Sequence, residues 1–278
     1  MKYIDAIKGS GIAALFFVLF VRFLPGFGPT PLIETMLTIA TFLFAILAGF
    51  FISRLNSRYN EIRELMSNED AYLFSLYKMA QVFGQPFVNK ISDKIDYYYM
   101  ASFENDIANY YKATMPHLQG IYETVFSLKA KSANSTYANL LSMLSSIEVV
   151  RNKNSVIAQE RLTHSQWGVL IFLTVIVLFC LFYLNTGEFY FQFLLVVLST
   201  ILVLVLLTMR DLQNLRLGGE LMPILESGQE VLEAMGKLRY YHRDLVDAGI
   251  MKIPPGLKTY RLGIHPLHAK SHIKIVKR

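Results

Sequence analysis

Cysteine is almost absent from this chain. Its one example, Cys180, sits inside an apolar run. That excludes a disulfide framework and a cysteine metal centre, and leaves Cys180 to pack as a small apolar residue. Charge is also scarce: 17% of the 278 residues are Asp, Glu, Lys or Arg, against about 25% in average soluble domains. Hydrophobic residues make up 53% and the mean hydropathy is +0.37, so the chain reads as an integral membrane protein with a soluble part. The common enzyme motifs are missing too, with no P-loop, no His-Glu-x-x-His and no Gly-x-Ser-x-Gly. The acidic pairs Glu69-Asp70 and Asp93/Asp96 lack a partner cluster and read as solvated helix faces. His265, His268 and His272 have the three- and four-residue spacing that suits a metal on one helix face, but Pro266 and a basic setting speak against it. No catalysis, cofactor or metal is expected.

Long apolar runs are present. Residues 9–24, 35–53, 167–184 and 189–208 read as four membrane spans. The first is short and carries Arg22, which can snorkel to the outer interface. A cleaved signal peptide is the alternative, but Pro25-Gly26-Phe27-Gly28-Pro29 follows instead of a small-x-small site and reads as a turn. With both termini and the segment 54–165 in the cytoplasm, every one of the 27 Lys and Arg except Arg22 lies inside. This arrangement places the protein in the cell (inner) membrane. The third and fourth spans hold no charge and show no sign of a proton relay.

The resulting organisation is a first hairpin (1–53), a cytosolic helical region (54–165), a second hairpin (166–208), a further helical region (209–250) and a basic tail (251–278). Leu65, Leu73, Leu76 and Met79-Ala80 continue a helix over 54–82, with Ser67 and Asp70 either capping a restart or lying exposed on one unbroken helix. Gly84-Gln85-Pro86 predicts a break, and 87–113 a helix rich in Tyr97, Tyr98, Tyr99, Phe103, Tyr110 and Tyr111. Interleaved acidic residues make these aromatics bundle core and subunit contact, not a nucleic-acid platform. Met115-Pro116-His117 predicts another break, followed by helices over 118–130 and 134–164. The second of these runs directly into Trp167, an interfacial anchor. Residues 209–247 are amphipathic, interrupted near Gly218-Gly219 and Pro223. The tail has basic residues and no acidic one. It reads as an extended segment over the soluble part, or as a ligand for anionic lipid headgroups.

The stretch 34–65 joins membrane to water in one helix. Residues 35–53 are uncharged, and Arg54, Arg58, Glu61 and Arg63 follow. Phe42, Ile46 and Phe50 recur every four residues on one face. Gly49-Phe50 followed by Ser57-Arg58-Tyr59, Glu61, Arg63 and Leu65 resembles the second membrane helix of bestrophins. SNEDAYLFSLYKMAQ (67–81) and LQNLRLGGELMP (212–223) resemble the bestrophin-like family more closely still. The resemblance implies an all-α, four-span, homopentameric ion channel with a large cytosolic helical domain. It makes Phe42, Ile46 and Phe50 the apolar neck. The acidic calcium clasp of animal bestrophins is not visible.

Repeated around an axis, such a stripe forms stacked apolar rings that gate by dewetting. Apolar rings carry no charge preference. Glu34 and Thr38 precede Phe42 at the same step and would line the outer mouth, tipping the preference weakly toward monovalent cations. Arg54 and Arg58 would lie on the cytosolic side, unless Arg58 pairs with Glu61 or Glu64. Bestrophins include both anion and cation channels. The competing reading is a non-conducting scaffold or sensor whose cytosolic helices and tail bind a partner or anionic lipid. The partners expected are other copies of the chain, the bilayer and monovalent ions, with no nucleic acid.

Overall fold

The computed structural model describes residues 3–128, 135–265 and 272–278. Nine α-helices occur among them: α1 (Ala6–Phe23), α2 (Pro31–Ala80), α3 (Gln85–Glu104), α4 (Tyr110–Phe126), α5 (Ser135–Gln159), α6 (His164–Tyr183), α7 (Phe189–Gln213), α8 (Met222–Ala234) and α9 (Arg243–Asp247). Three strands follow α8: β1 (Tyr240–His242), β2 (Thr259–Ile264) and β3 (His272–Lys277). The chain divides into two compact units. One comprises Tyr3–Tyr59 and Arg161–Gly219, the other Asn60–Glu160 and Glu220–Arg278. The long helix α2 supplies residues to both.

The first unit holds α1, the start of α2, α6 and α7. These are the four helices, among the described residues, long and apolar enough to cross a membrane. Asp5 caps α1, accepting from Lys8 N at 2.8 Å. Thr163 and Gln166 form a reciprocal capping box at the start of α6. At one end of the unit the two connecting turns meet. Phe27 N donates to the Tyr183 carbonyl at 2.8 Å, and Asn185 Nδ2 donates to that of Leu24 at 3.3 Å. Gly26 is required there, because a Cβ would stand 2.2 Å from the Asn185 carbonyl oxygen. At the other end, Tyr3 OH donates to Asp211 at 2.5 Å and Ala6 N to the same carboxylate at 2.9 Å. Cys180 is buried with Ile33 and Leu184, in the packing role expected of it.

The second unit has one apolar core. It combines Leu73, Leu76 and Ala80 of α2 with Ile91 and Ile95 of α3, Leu118, Ile121 and Val125 of α4, and Leu140, Leu144 and Ile147 of α5. Leu232 of α8 and Tyr240 and Tyr241 of β1 complete it. The sheet order is β1-β2-β3. The first pair is parallel, with Tyr240 opposite Arg261, and the second antiparallel, with Thr259 opposite Lys277.

Several expectations need correction. The chain is mostly helical but not all-α, since part of the basic tail is sheet. Strand pairing depends on partners remote in sequence, and the tail offered no local alternation strong enough to show it. The aromatic helix ends at Glu104, and a turn through Asn105–Asn109 separates it from α4, which carries Tyr110 and Tyr111. Pro116 lies inside α4 and does not break it. It forfeits one backbone donor, while Leu118, Ile121 and Val125 on the same helix are buried. Helix α5 stops at Gln159 and does not run into Trp167. The break at Gly84 holds, with φ at +93°. Helix α2 is unbroken through Ser67 and Asp70, yet Asp70 is buried, so neither the restart nor the exposed-face alternative describes it.

Candidate functional site

At 3.6 residues per turn, successive residues on α2 lie about 100° apart. Ile33, Ala40, Phe44, Ala48, Phe51, Leu55 and Tyr59 form its buried face. Phe42, Ile46 and Phe50 lie on the opposite side and are 65%, 53% and 62% exposed. Three large apolar side chains thus share a face that the chain's own fold leaves uncovered. Gly49 beside them is exposed, and a Cβ there would meet nothing within 4 Å.

Of the polar residues expected to flank this stripe, Glu34, Thr38 and Arg54 are exposed and Arg58 is buried. Glu34 and Thr38 are exposed, and Thr38 Oγ1 donates to the Glu34 carbonyl at 2.9 Å. A four-residue step overshoots the helical period, which leaves Glu34 about 80° around the helix from Phe42. Arg54 is exposed. The same drift carries Arg58 onto the buried face, where Nη1 donates to the Gln213 carbonyl at 3.0 Å. Gln213 Oε1 also accepts from Trp167 Nε1 at 3.0 Å and Leu162 N at 3.2 Å. Arg58 therefore ties α2 to the end of α7.

The second unit contains a polar cluster that sequence reasoning had assigned to solvent. Glu69 and Asp70 are both buried. The Tyr98 hydroxyl donates to Glu69, and the Tyr110 hydroxyl does so at 3.0 Å. Tyr99 OH donates to Asp70 at 2.8 Å. Arg151 is fully buried above the Tyr111 ring at 4.9 Å, and its Nη2 donates to Thr114 Oγ1 at 2.6 Å. Burial raises the Glu69 carboxyl, against the pull of the Tyr98 hydroxyl, the Arg151 charge and the Tyr110 hydroxyl. Burial and the neighbouring Glu69 charge push Asp70 up to about 8. The other acidic pair divides: Asp93 stays exposed and meets Lys237 at 2.6 Å, while Asp96 is gripped by both Arg261 terminal nitrogens at 2.6 and 2.7 Å. No local signal announced these partners, which lie on other helices and on β2.

Among the described residues no group of three or more His, Cys, Asp or Glu side chains is placed to hold a metal ion. His265 stacks on His242 at 4.8 Å between ring centres and lies 3.3 Å from Glu104, and His272 sits on β3. His268 falls outside the described residues. Tyr98, Tyr99, Phe103 and Tyr110 are core residues.

The sequence profile of the Bestrophin-like domain matches residues 11–213, most of the chain. The chain belongs to the Bestrophin-like domain family. Two point variants of a bacterial bestrophin homologue from Klebsiella pneumoniae share the fold at 14% identity each, with TM-scores of 0.57 and 0.60. Each match covers 84% of this chain and 97% of the homologue. A crystal structure described as a membrane protein matches at 12% identity and a TM-score of 0.61, covering 84% of this chain and 99% of the other. No curated protein matches significantly. Bestrophin homologues are ion channels and not enzymes, and four described helices of this chain are long and apolar enough to cross a membrane.

Proposed function

We propose that this bestrophin-like chain is one subunit of a homopentameric ion channel in the cell (inner) membrane, with both termini cytoplasmic. Ions pass along an axis lined by the membrane-spanning part of α2, where Phe42, Ile46 and Phe50 of each subunit form the neck. The observation that carries this reading is their exposure, on the face of α2 turned away from its own subunit's core. A soluble domain would bury such residues. In a membrane channel they stack as apolar rings, which open or close the water column by repacking. Glu34, in the first turn of α2, gives the outer end a mild preference for monovalent cations. Thr38 and Arg54 flank the neck, and Arg58 holds the helix in place from its buried side.

The test is conductance in planar bilayers for Phe42→Ala, Ile46→Ala and Phe50→Ala singly. Each is expected to raise unitary conductance or open probability by widening one ring. Unchanged currents in all three would remove the neck from this helix face.

A further inference from the structure

The four-residue stripe and the helical period diverge, and the divergence identifies which polar residues share the neck's face. At about 100° per residue, Thr35, Ile39, Ser53 and Ser57 each fall within about 20° of the mean direction of Phe42, Ile46 and Phe50. All four are exposed in the structure. Glu34 lies about 120° and Arg54 about 80° from that direction, and Arg58 is buried. The face therefore reads hydroxyl, four apolar residues, then two hydroxyls. From Ile39 to Phe50 the apolar part rises about 16 Å, and Ser53 and Ser57 follow about 4 and 10 Å further along. Thr35 Oγ1 donates to the Pro31 carbonyl at 2.8 Å, which leaves the oxygen lone pairs directed away from the helix backbone.

We infer, resting on the channel reading above, that Ser53 and Ser57 form the inner exit of the neck, that Thr35 forms its outer entrance, and that Ile39 adds a fourth apolar ring. A partly dehydrated ion leaving the apolar rings meets hydroxyls before any charged group. Hydroxyls accept toward cations and donate toward anions, so Ser53 and Ser57 replace lost water for either sign, while Thr35, whose proton goes to Pro31, accepts toward cations. Charge selectivity at the neck is then weak by construction. A charge introduced at Ser53 or Ser57 outweighs the mild bias of Glu34 at the outer end, whereas charge at the off-face position Asn56 does not.

Buried Cys180 makes a cysteine experiment clean. The full-length protein in liposomes carries Ser53→Cys, Ser57→Cys or, as an off-face control, Asn56→Cys, and is treated with a sulfonate-bearing or a trimethylammonium-bearing methanethiosulfonate. Asn56 is exposed but lies about 80° from the stripe. Sulfonate at Ser53→Cys or Ser57→Cys is expected to raise the Na⁺/Cl⁻ flux ratio at least about threefold and trimethylammonium to lower it, with Asn56→Cys and the untreated wild type unmoved. Phe50→Ala runs in the same liposomes. If it changes flux while the two serine positions do not respond, the hydroxyl assignment is wrong and the neck stands. If Phe50→Ala also changes nothing, Phe50 lines no neck and this assignment, which continues its face, falls with it.

Discussion

Replacing Asp70 with Asn should stabilise the protein at mildly alkaline pH and flatten its pH dependence. Asp70 is buried and accepts from Tyr99 OH at 2.8 Å. Burial, and then the Glu69 charge, raise its pKa from the ordinary 3.8 to about 8. In the unfolded chain the same carboxyl titrates near its ordinary value. Between about pH 4 and pH 8 the unfolded side chain has lost its proton while the folded one keeps it. Its contribution is therefore fully present below about pH 4 and is lost as pH rises through about 8. The slope is about 1.4 kcal/mol per pH unit, or about 2 kcal/mol lost between pH 6 and pH 8. That corresponds to a fall of roughly 4–8 °C in Tm for a chain of this size. Asn cannot ionise, and its carbonyl still accepts from Tyr99. Thermal unfolding in detergent at pH 6 and pH 8 tests this: the wild type should lose Tm over that range, and Asp70→Asn should lose distinctly less. Equal losses in the two proteins, or a wild type that gains stability with pH, would refute the argument. Glu69, raised in the same direction, leaves a residual slope that Glu69→Gln should remove in the double variant.

Three further outcomes follow from individual positions. Gly26→Ala places a Cβ against the Asn185 carbonyl and should cost about 1–3 kcal/mol through strain in the paired turns, read as a lower Tm in detergent. Gly11→Ala, where nothing lies within 4 Å, should be neutral or slightly stabilising. Asp96→Ala strips Arg261 of its bidentate partner and should destabilise by about 3 kcal/mol, detectable by chemical unfolding and by earlier proteolysis of the β1–β3 region.

The parts of the fold that follow from local chemistry were legible in the sequence. Apolar runs marked the four described helices long and apolar enough to cross a membrane, Pro and Gly marked the turn at Gly26 and the break at Gly84, and the Phe42/Ile46/Phe50 spacing marked a face of α2. Features that depend on distant partners were not. Glu69 and Asp70 looked like solvent-facing acids because Tyr98, Tyr99, Tyr110 and Arg151 reach them from three other helices. The tail looked shapeless because β2 needs β1 and β3 on either side of it. Arg58 lies off the stripe for a different reason: a four-residue step approximates a 3.6-residue period over one or two turns, and by the fourth turn it has crossed to the buried face. The same arithmetic, applied strictly, picks out Thr35, Ser53 and Ser57.

The central claim is that the exposed face of α2 is the wall of a pore. Its most direct test is the flux of Na⁺, K⁺ and Cl⁻ into liposomes carrying the purified protein, with wild type beside the Phe42/Ile46/Phe50 triple alanine. Removing three apolar rings should increase flux for every ion the wild type passes. No increase from a triple variant shown to be folded and inserted would mean that ions do not travel along this face.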